Sequence, residues 1–114
     1  MAGTLKRIAG PAYLANAAAD IYTPPASTIY TVIRQIHVAN KTGGAVTFTL
    51  YVGATGGSAA GTELFGAYSV PANSTYDWYA SPSGLKMLST DFLSGLASAA
   101  TSLVITVMGE QNVV

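Results

Sequence analysis

Val46, Phe48, Leu50 and Val52 fall on one side of an extended chain, and Thr47, Thr49 and Tyr51 on the other. Strict alternation of this kind fits a strand with one face in a core, and a helix of 3.6 residues per turn does not satisfy it. Similar stretches recur along the sequence. β-Branched and aromatic runs are separated by Gly, Pro, Asn and Ser clusters, which are strand and turn signals. Helical periodicity is weak throughout.

Residues 28–39 predict a second long strand whose pattern changes phase. Ile29 and Ile33 share one parity, Ile36 and Val38 the other. Either both faces are partly covered, or a bulge near Arg34-Gln35 re-aims the chain; the bulge is the preferred reading. Asn40-Lys41-Thr42-Gly43-Gly44 offers residues that tolerate positive φ, so residues 28–39 and 46–52 are expected to form an antiparallel hairpin. A glycine-rich loop at 53–61 leads to a strand at 62–70, broken in pattern at Gly66. Pro71-Ala72-Asn73 turns the chain into a strand at 74–80, and Ser81-Pro82-Ser83-Gly84 is expected to turn it again before a short strand at 85–88. Residues 92–97 and 102–108 predict a last hairpin around Ser98-Ala99-Ala100-Thr101. In the last strand Leu103, Ile105 and Val107 alternate with Val104, Thr106 and Met108. Both faces are largely apolar, so this strand is expected to be central or to touch a neighbour on its second face.

Upstream, residues 13–22 read as extended in preference to a short helix through Ala15–Ala19, and Pro24-Pro25 ends the segment. The fold class that follows is all-β: an antiparallel β-sandwich, jelly-roll-like or Greek-key, of seven to eight strands. Residues 1–25 are assigned to an N-terminal extended arm or edge strand and residues 26–114 to the sandwich. The arm, poor in core pattern, is the candidate docking segment.

Charge bounds the function. Only 9% of the 114 residues are charged, against roughly 25% in an ordinary soluble domain. Half are hydrophobic, yet no run approaches the ~20 apolar residues of a spanning helix. A surface so poor in charge is expected to be covered by copies of the chain or by a larger assembly. Lys6, Arg7, Arg34, Lys41 and Lys86 are scattered, which argues against nucleic acid as a partner and against a polybasic membrane patch. Lys6-Arg7 and the later Ala15-Asn16-Ala17 imitate a secretory signal, but the apolar stretch is short and broken by Gly10-Pro11. There is no cysteine, hence no disulfide framework and no thiolate metal site.

Candidates for chemistry are few. His37, the single histidine, is expected to be a half-buried strand residue with a hydrogen-bond partner, since no second His or Cys completes a zinc site. No G-x-S-x-G elbow is present, and Asp20, Glu63, Asp77, Asp91 and Glu110 show no spacing that marks an acid–base pair. The loop from Gly53 lacks the G-K-[ST] ending of a phosphate cradle. Asn40 and Asn73 head N-x-[ST] triplets and are read as turn residues. No catalytic, cofactor-binding or metal residue is assigned, and the chain is expected not to be an enzyme. Tyr76 and Trp78 share one strand face, Asp77 and Tyr79 the other. Facing inward, Trp78 is core or subunit interface; facing outward, it is a platform for a sugar ring. The candidate interface or ligand contacts are Tyr76, Trp78, Tyr79, Tyr13 and Tyr22.

One further pattern spans about residues 20–109. Ile21-Tyr22-Thr23-Pro24-Pro25 leads into Ile33-Arg34-Gln35-Ile36-His37-Val38-Ala39-Asn40, then Thr47-Phe48-Thr49-Leu50-Tyr51 and Val70-Pro71-Ala72. This order resembles small β-sandwich structural proteins of tailed bacteriophage virions. The resemblance implies a virion component, assembled in the host cytoplasm. It would decorate or cement the capsid, or serve as a neck or tail accessory. It also implies a homo-oligomer, with threefold symmetry among the orders considered, bound to capsid or tail subunits. No cofactor belongs to the pattern. The alternative function is a carbohydrate-binding module for host recognition, using Trp78, Tyr76 or Tyr79 beside Asp77 or Asn73. A hydrolase would need His37 near a serine or carboxylate in an open cleft.

Overall fold

The structure is a computed structural model that describes residues 5–25, 27–53, 63–80 and 84–113. Nine strands form: β1 (Leu5–Tyr13), β2 (Ala19–Tyr22), β3 (Thr28–Asn40), β4 (Val46–Gly53), β5 (Glu63–Val70), β6 (Thr75–Tyr79), β7 (Leu85–Leu88), β8 (Phe92–Ala97) and β9 (Leu103–Val113). Among the described residues no helix is long and apolar enough to cross a membrane. The all-β sandwich expected from the alternating runs is the fold observed. One sheet has the order β1-β9-β3-β6, with β7 also on β3; the other has the order β2-β8-β4-β5.

β6 and β7 follow the same edge of β3 in the same direction, with Tyr79 opposite Gln35 and Leu85 opposite Ile33. Counted as one interrupted strand, they give an eight-stranded jelly roll. The turn expected at 81–84 falls mostly on residues 81–83, outside the described ones, and the glycine-rich loop expected at 53–61 lies outside them from residue 54 onward.

Two expected hairpins are absent. The corner at residues 41–45 joins β3 to β4, and that at 98–102 joins β8 to β9, but in both cases the two strands belong to different sheets. Turn residues specify a change of direction, not which edge accepts the hydrogen bonds. β3 has both edges filled, by β9 on one side and by β6 and β7 on the other, so β4 pairs with β5 and β8 instead. β9, flanked by β1 and β3, is central as expected.

The bulge near Arg34 is present. Ile33 stands opposite Gly109 and Gln35 opposite Met108, which leaves Arg34 as the extra residue. Ile33 and Ile36 can therefore both point inward, and both are fully buried. The break at Gly66 is also real. The β4–β5 register shifts between Phe48 and Leu50, and Ala67 adopts φ 48°. The Ala67 N–H donates to Thr49 Oγ1 at 3.0 Å.

The core lies between the sheets. Ile33, Ile36, Val38, Leu103, Ile105 and Val107 of the first sheet meet Phe48, Leu50, Val70, Leu93 and Ala97 of the second. The amino-terminal segment adds Leu14 and Tyr22 to it, and β1 and β2 line the same side of the sandwich as edge strands. Where β1 bulges, Gly10 has φ +71°, and a side chain there would collide with the Ile105 carbonyl. Only glycine meets both demands without strain.

Asn40 closes one corner. Its side chain is buried and donates to the carbonyls of Gly44, Val70 and Pro71, while its Oδ1 accepts from the Thr42 N–H and hydroxyl. The corner between β3 and β4 is thereby tied to the end of β5. Asn40→Ala strands several of these groups, and an unsatisfied buried partner costs about 1–3 kcal/mol. The expected loss is about 2–4 kcal/mol, read as a lower urea midpoint with unchanged slope.

Candidate functional site

The bulge at Arg34 also decides what the outer face of the β1-β9-β3-β6 sheet displays. Beyond it, Ile36 and Val38 point inward, so Gln35 and His37 point outward. β6 lies alongside, pairing Gln35 with Tyr79 and His37 with Asp77. The outcome is a polar cluster. His37 Nδ1 lies 2.5 Å from Asp77 Oδ1, and Gln35 Nε2 donates to the same oxygen at 3.0 Å and to the Tyr79 hydroxyl at 3.4 Å. The hydrogen bond from His37 holds the Asp77 carboxyl below its usual range; Gln35 adds to this, and partial desolvation opposes it. His37 is thus the partnered strand residue expected. Its partner is the Asp77 carboxylate, and the Gln35 amide reaches that carboxylate and Tyr79. Among the described residues, no group of three or more His, Cys, Asp or Glu is placed to hold a metal ion.

Tyr76 and Trp78 take the opposite parity and turn between the sheets. Trp78 stands edge-on to Phe65, with ring centres 5.5 Å apart at 89°. Tyr76 packs against Phe48, Phe65 and Tyr68. These rings pack on the flank between β5 and β6, and Trp78 is partly buried there against the core. Burial pushes the Tyr76 phenol above its ordinary range, with Tyr68 reinforcing the shift.

The other candidate residues separate. Tyr22 is buried; its hydroxyl meets Thr31 Oγ1 at 2.8 Å and receives a bond from Gln111 Nε2 at 2.6 Å. It belongs to the interior and not to a contact surface. Tyr13 is 49% exposed and is held by Lys41, whose Nζ donates to its hydroxyl at 2.7 Å. Tyr79, 68% exposed, is the outermost of the set. The five candidates therefore do not form one site.

On the open flank, β1 and β2 border a cleft of about 140 Å³ lined by Gly10, Tyr13, Leu14, Ile21, Gly95 and Ile105, with Asp20 among its walls. Ligand pockets run to about 300–1,000 Å³, so this cleft holds an apolar side chain more readily than a cofactor.

The outer face of the second sheet holds none of the five candidates. Thr47, Thr49 and Tyr51 of β4 and Phe92 and Leu96 of β8 alternate with buried core residues and are half-buried, while Ser94, at the same parity on β8, is itself buried. Thr49 stands opposite Leu96, and Tyr51 opposite Ser94. None of these six side chains is charged. The charges of this sheet, Asp20 and Glu63, sit on the flanking strands β2 and β5. The alternation that signals the strand also marks its outward residues, but only the β4–β8 pairing places them on one surface.

The two sheets together have the strand order of a jelly roll. No protein-family model matches the chain, and no curated protein matches it. A solved structure of Bacillus endospore appendages, which form a novel family of disulfide-linked pili, is similar over 100% of this chain and 91% of its own, with TM-score 0.55 and 19% identity. The likeness is one of fold.

This finding corrects the expected phage role. The solved structure that shares the fold is a bacterial endospore pilus, not a capsid decoration or a neck or tail part. The virion location and the capsid or tail partners fall with it. The physical reason lies in what carried the resemblance. Ile33, Ile36, Val38, Leu50 and Val70 are core residues, and Asn40 is a corner brace, so the motif records how a jelly roll is built and not where it is used.

The Asp77 cluster has a testable signature. A carboxyl with a lowered folded-state pKa stabilises the fold above the ordinary carboxylate range, and that contribution disappears as pH falls through the folded-state pKa. Asp77→Asn is expected to lower the melting temperature slightly at neutral pH. The gap to the unmodified protein should close in acid, as thermal melts across the acidic range will record.

Proposed function

We propose that this chain is a non-catalytic structural subunit that self-associates, using the outer face of β4 and β8 as a contact surface. The observation that carries the reading is the distribution of charge on that face. Its centre consists of the half-buried Thr47, Thr49, Tyr51, Phe92 and Leu96 around the buried Ser94, with Asp20 and Glu63 at the rim strands. Contact surfaces between proteins have this layout: charged residues are depleted at the centre and tolerated at a wetter rim. Burying such a face gains roughly 25 cal/mol per Å² of apolar area before ordering costs are subtracted. The overall scarcity of charge, five basic and five acidic residues in 114, supports the same reading.

The shared fold with an endospore pilus structure supports a self-associating subunit. The chemistry of association must differ, because this chain has no cysteine and cannot form the disulfide links named for those pili. Contacts between copies are therefore non-covalent or rest on another kind of bond.

Light scattering and sedimentation over a wide concentration range test the proposal. The unmodified protein is expected to form species larger than one chain. Thr49→Lys and Leu96→Glu, each placing a charge at the centre of the face, should weaken association by about tenfold or more, equivalent to ~1.4 kcal/mol, with melting temperature nearly unchanged in Leu96→Glu and slightly lowered in Thr49→Lys, which loses the acceptor of the Ala67 N–H. Thr106→Lys, on the outer face of the other sheet, should leave association intact. A protein that stays monomeric at high concentration, or that associates equally well with Thr49→Lys, overturns the reading.

A further inference from the structure

Among the described residues, the flank opposite the β1/β2 cleft is closed by side chains. β5 is the edge of one sheet and β6 lies at the edge of the other, and the two meet through Phe65, Tyr68, Tyr76 and Trp78. Tyr68 and Tyr76 make the tightest ring contact among the described residues. Their centres are 4.3 Å apart and their planes are inclined by 34°, against 5.4 Å for Phe48 and Phe65. At that separation carbon atoms of the two rings are in van der Waals contact. Tyr68 is 41% exposed, so an oxidant in solution reaches it. Tyr76 is held in place behind it by Phe48 and Phe65.

We propose that Tyr68 and Tyr76 form an oxidative cross-linking site, at which hydrogen peroxide and a haem peroxidase join the two phenol rings through their ortho carbons. Each phenol gives up one electron and one proton and becomes a phenoxyl radical. The two electrons and two protons reduce the peroxide, whose O–O bond breaks to give two molecules of water. The radicals combine by forming one carbon–carbon bond. The hydrogen on each bonded carbon then moves to the oxygen of its own ring, restoring two phenols. The chain ends lighter by two hydrogen atoms.

Neighbouring groups favour this pair. Burial, and a hydrogen bond in which Tyr68 accepts from the Tyr76 hydroxyl, keep the Tyr76 phenol protonated, so electron loss there is accompanied by proton loss. The preset contact makes coupling within the chain faster than coupling between chains at low concentration. Tyr79 and Tyr13 are more exposed, but among the described residues neither has a second tyrosine ring against it. The bond would join the edges of the two sheets, which share no backbone ladder there. A chain without cysteine has no disulfide to do so.

The test treats the dilute full-length chain with hydrogen peroxide and a haem peroxidase. The expected product has the mass of one chain less two hydrogen atoms and shows dityrosine fluorescence. After proteolysis it yields a peptide pair bridging residues 68 and 76. Tyr68→Phe and Tyr76→Phe are each expected to lower the yield by about tenfold or more, while Tyr79→Phe leaves it unchanged. Should Tyr76→Phe disturb folding, Tyr68→Phe carries the test, because its ring is partly in solvent. An unchanged yield in Tyr68→Phe, cross-links only between chains, or oxygen addition at Trp78 without loss of two hydrogen atoms overturns the proposal.

Discussion

The ladder between β3 and β9 organises the molecule. It runs from Thr28 opposite Val113 to Asn40 opposite Leu103 and joins segments far apart in the chain. Both strands are buried on their inner face, so their backbone groups need partners within the sheet. Once they pair, one free edge remains on each. β9 takes β1, and β3 takes β6 and β7. The inner faces of the two strands then present Ile33, Ile36, Val38, Ile105 and Val107, an apolar surface that the second sheet covers. The corner connections follow from that demand, because each must carry the chain across the sandwich.

A single extra residue in β3 adjusts this framework. Without the bulge at Arg34, the parity that buries Ile33 would turn Ile36 and Val38 outward and His37 into the core. With it, one strand supplies inner residues along its length and places Gln35 and His37 outside. The Asp77 cluster is a by-product of that correction, completed by β6. Arg34 itself reaches Glu110 on β9, at 2.9 Å between Nε and Oε2. Arg34 and Glu110, like His37 and Asp77, thus meet within the chain, and the β4–β8 face carries no charge at its centre.

The contrast between the two outer faces gives the functional reading its form. A domain this poor in charge has little with which to keep a flat sheet surface apart from its neighbours. The pilus whose fold it resembles is linked by disulfides, whereas this chain has none to contribute. The means proposed for it are burial of the Thr-, Tyr- and Leu-bearing face and, on the β5/β6 flank, phenol chemistry. These are separate surfaces, and one can be altered without disturbing the other.

Much of this was legible beforehand. The alternation of Val46, Phe48, Leu50 and Val52 specified a strand and its buried side. The phase change between Ile33 and Ile36 specified a bulge, and the two apolar faces of residues 103–108 specified a central strand. These are local properties, set by the period of the backbone and by side-chain chemistry within a few residues. Partners were not legible. Asn40-Lys41-Thr42-Gly43-Gly44 looks the same in a hairpin and in a corner between sheets, and nothing near Trp78 says whether Phe65 or water will meet it. His37 with Asp77, Tyr68 with Tyr76, and Thr49 with Leu96 are neighbours only because distant strands share an edge or pack face to face. The sequence by itself determined the strands, their buried sides and the scarcity of charge. Tertiary structure alone decided which side chains meet, because pairing minimises unsatisfied backbone and exposed apolar surface over the whole chain at once.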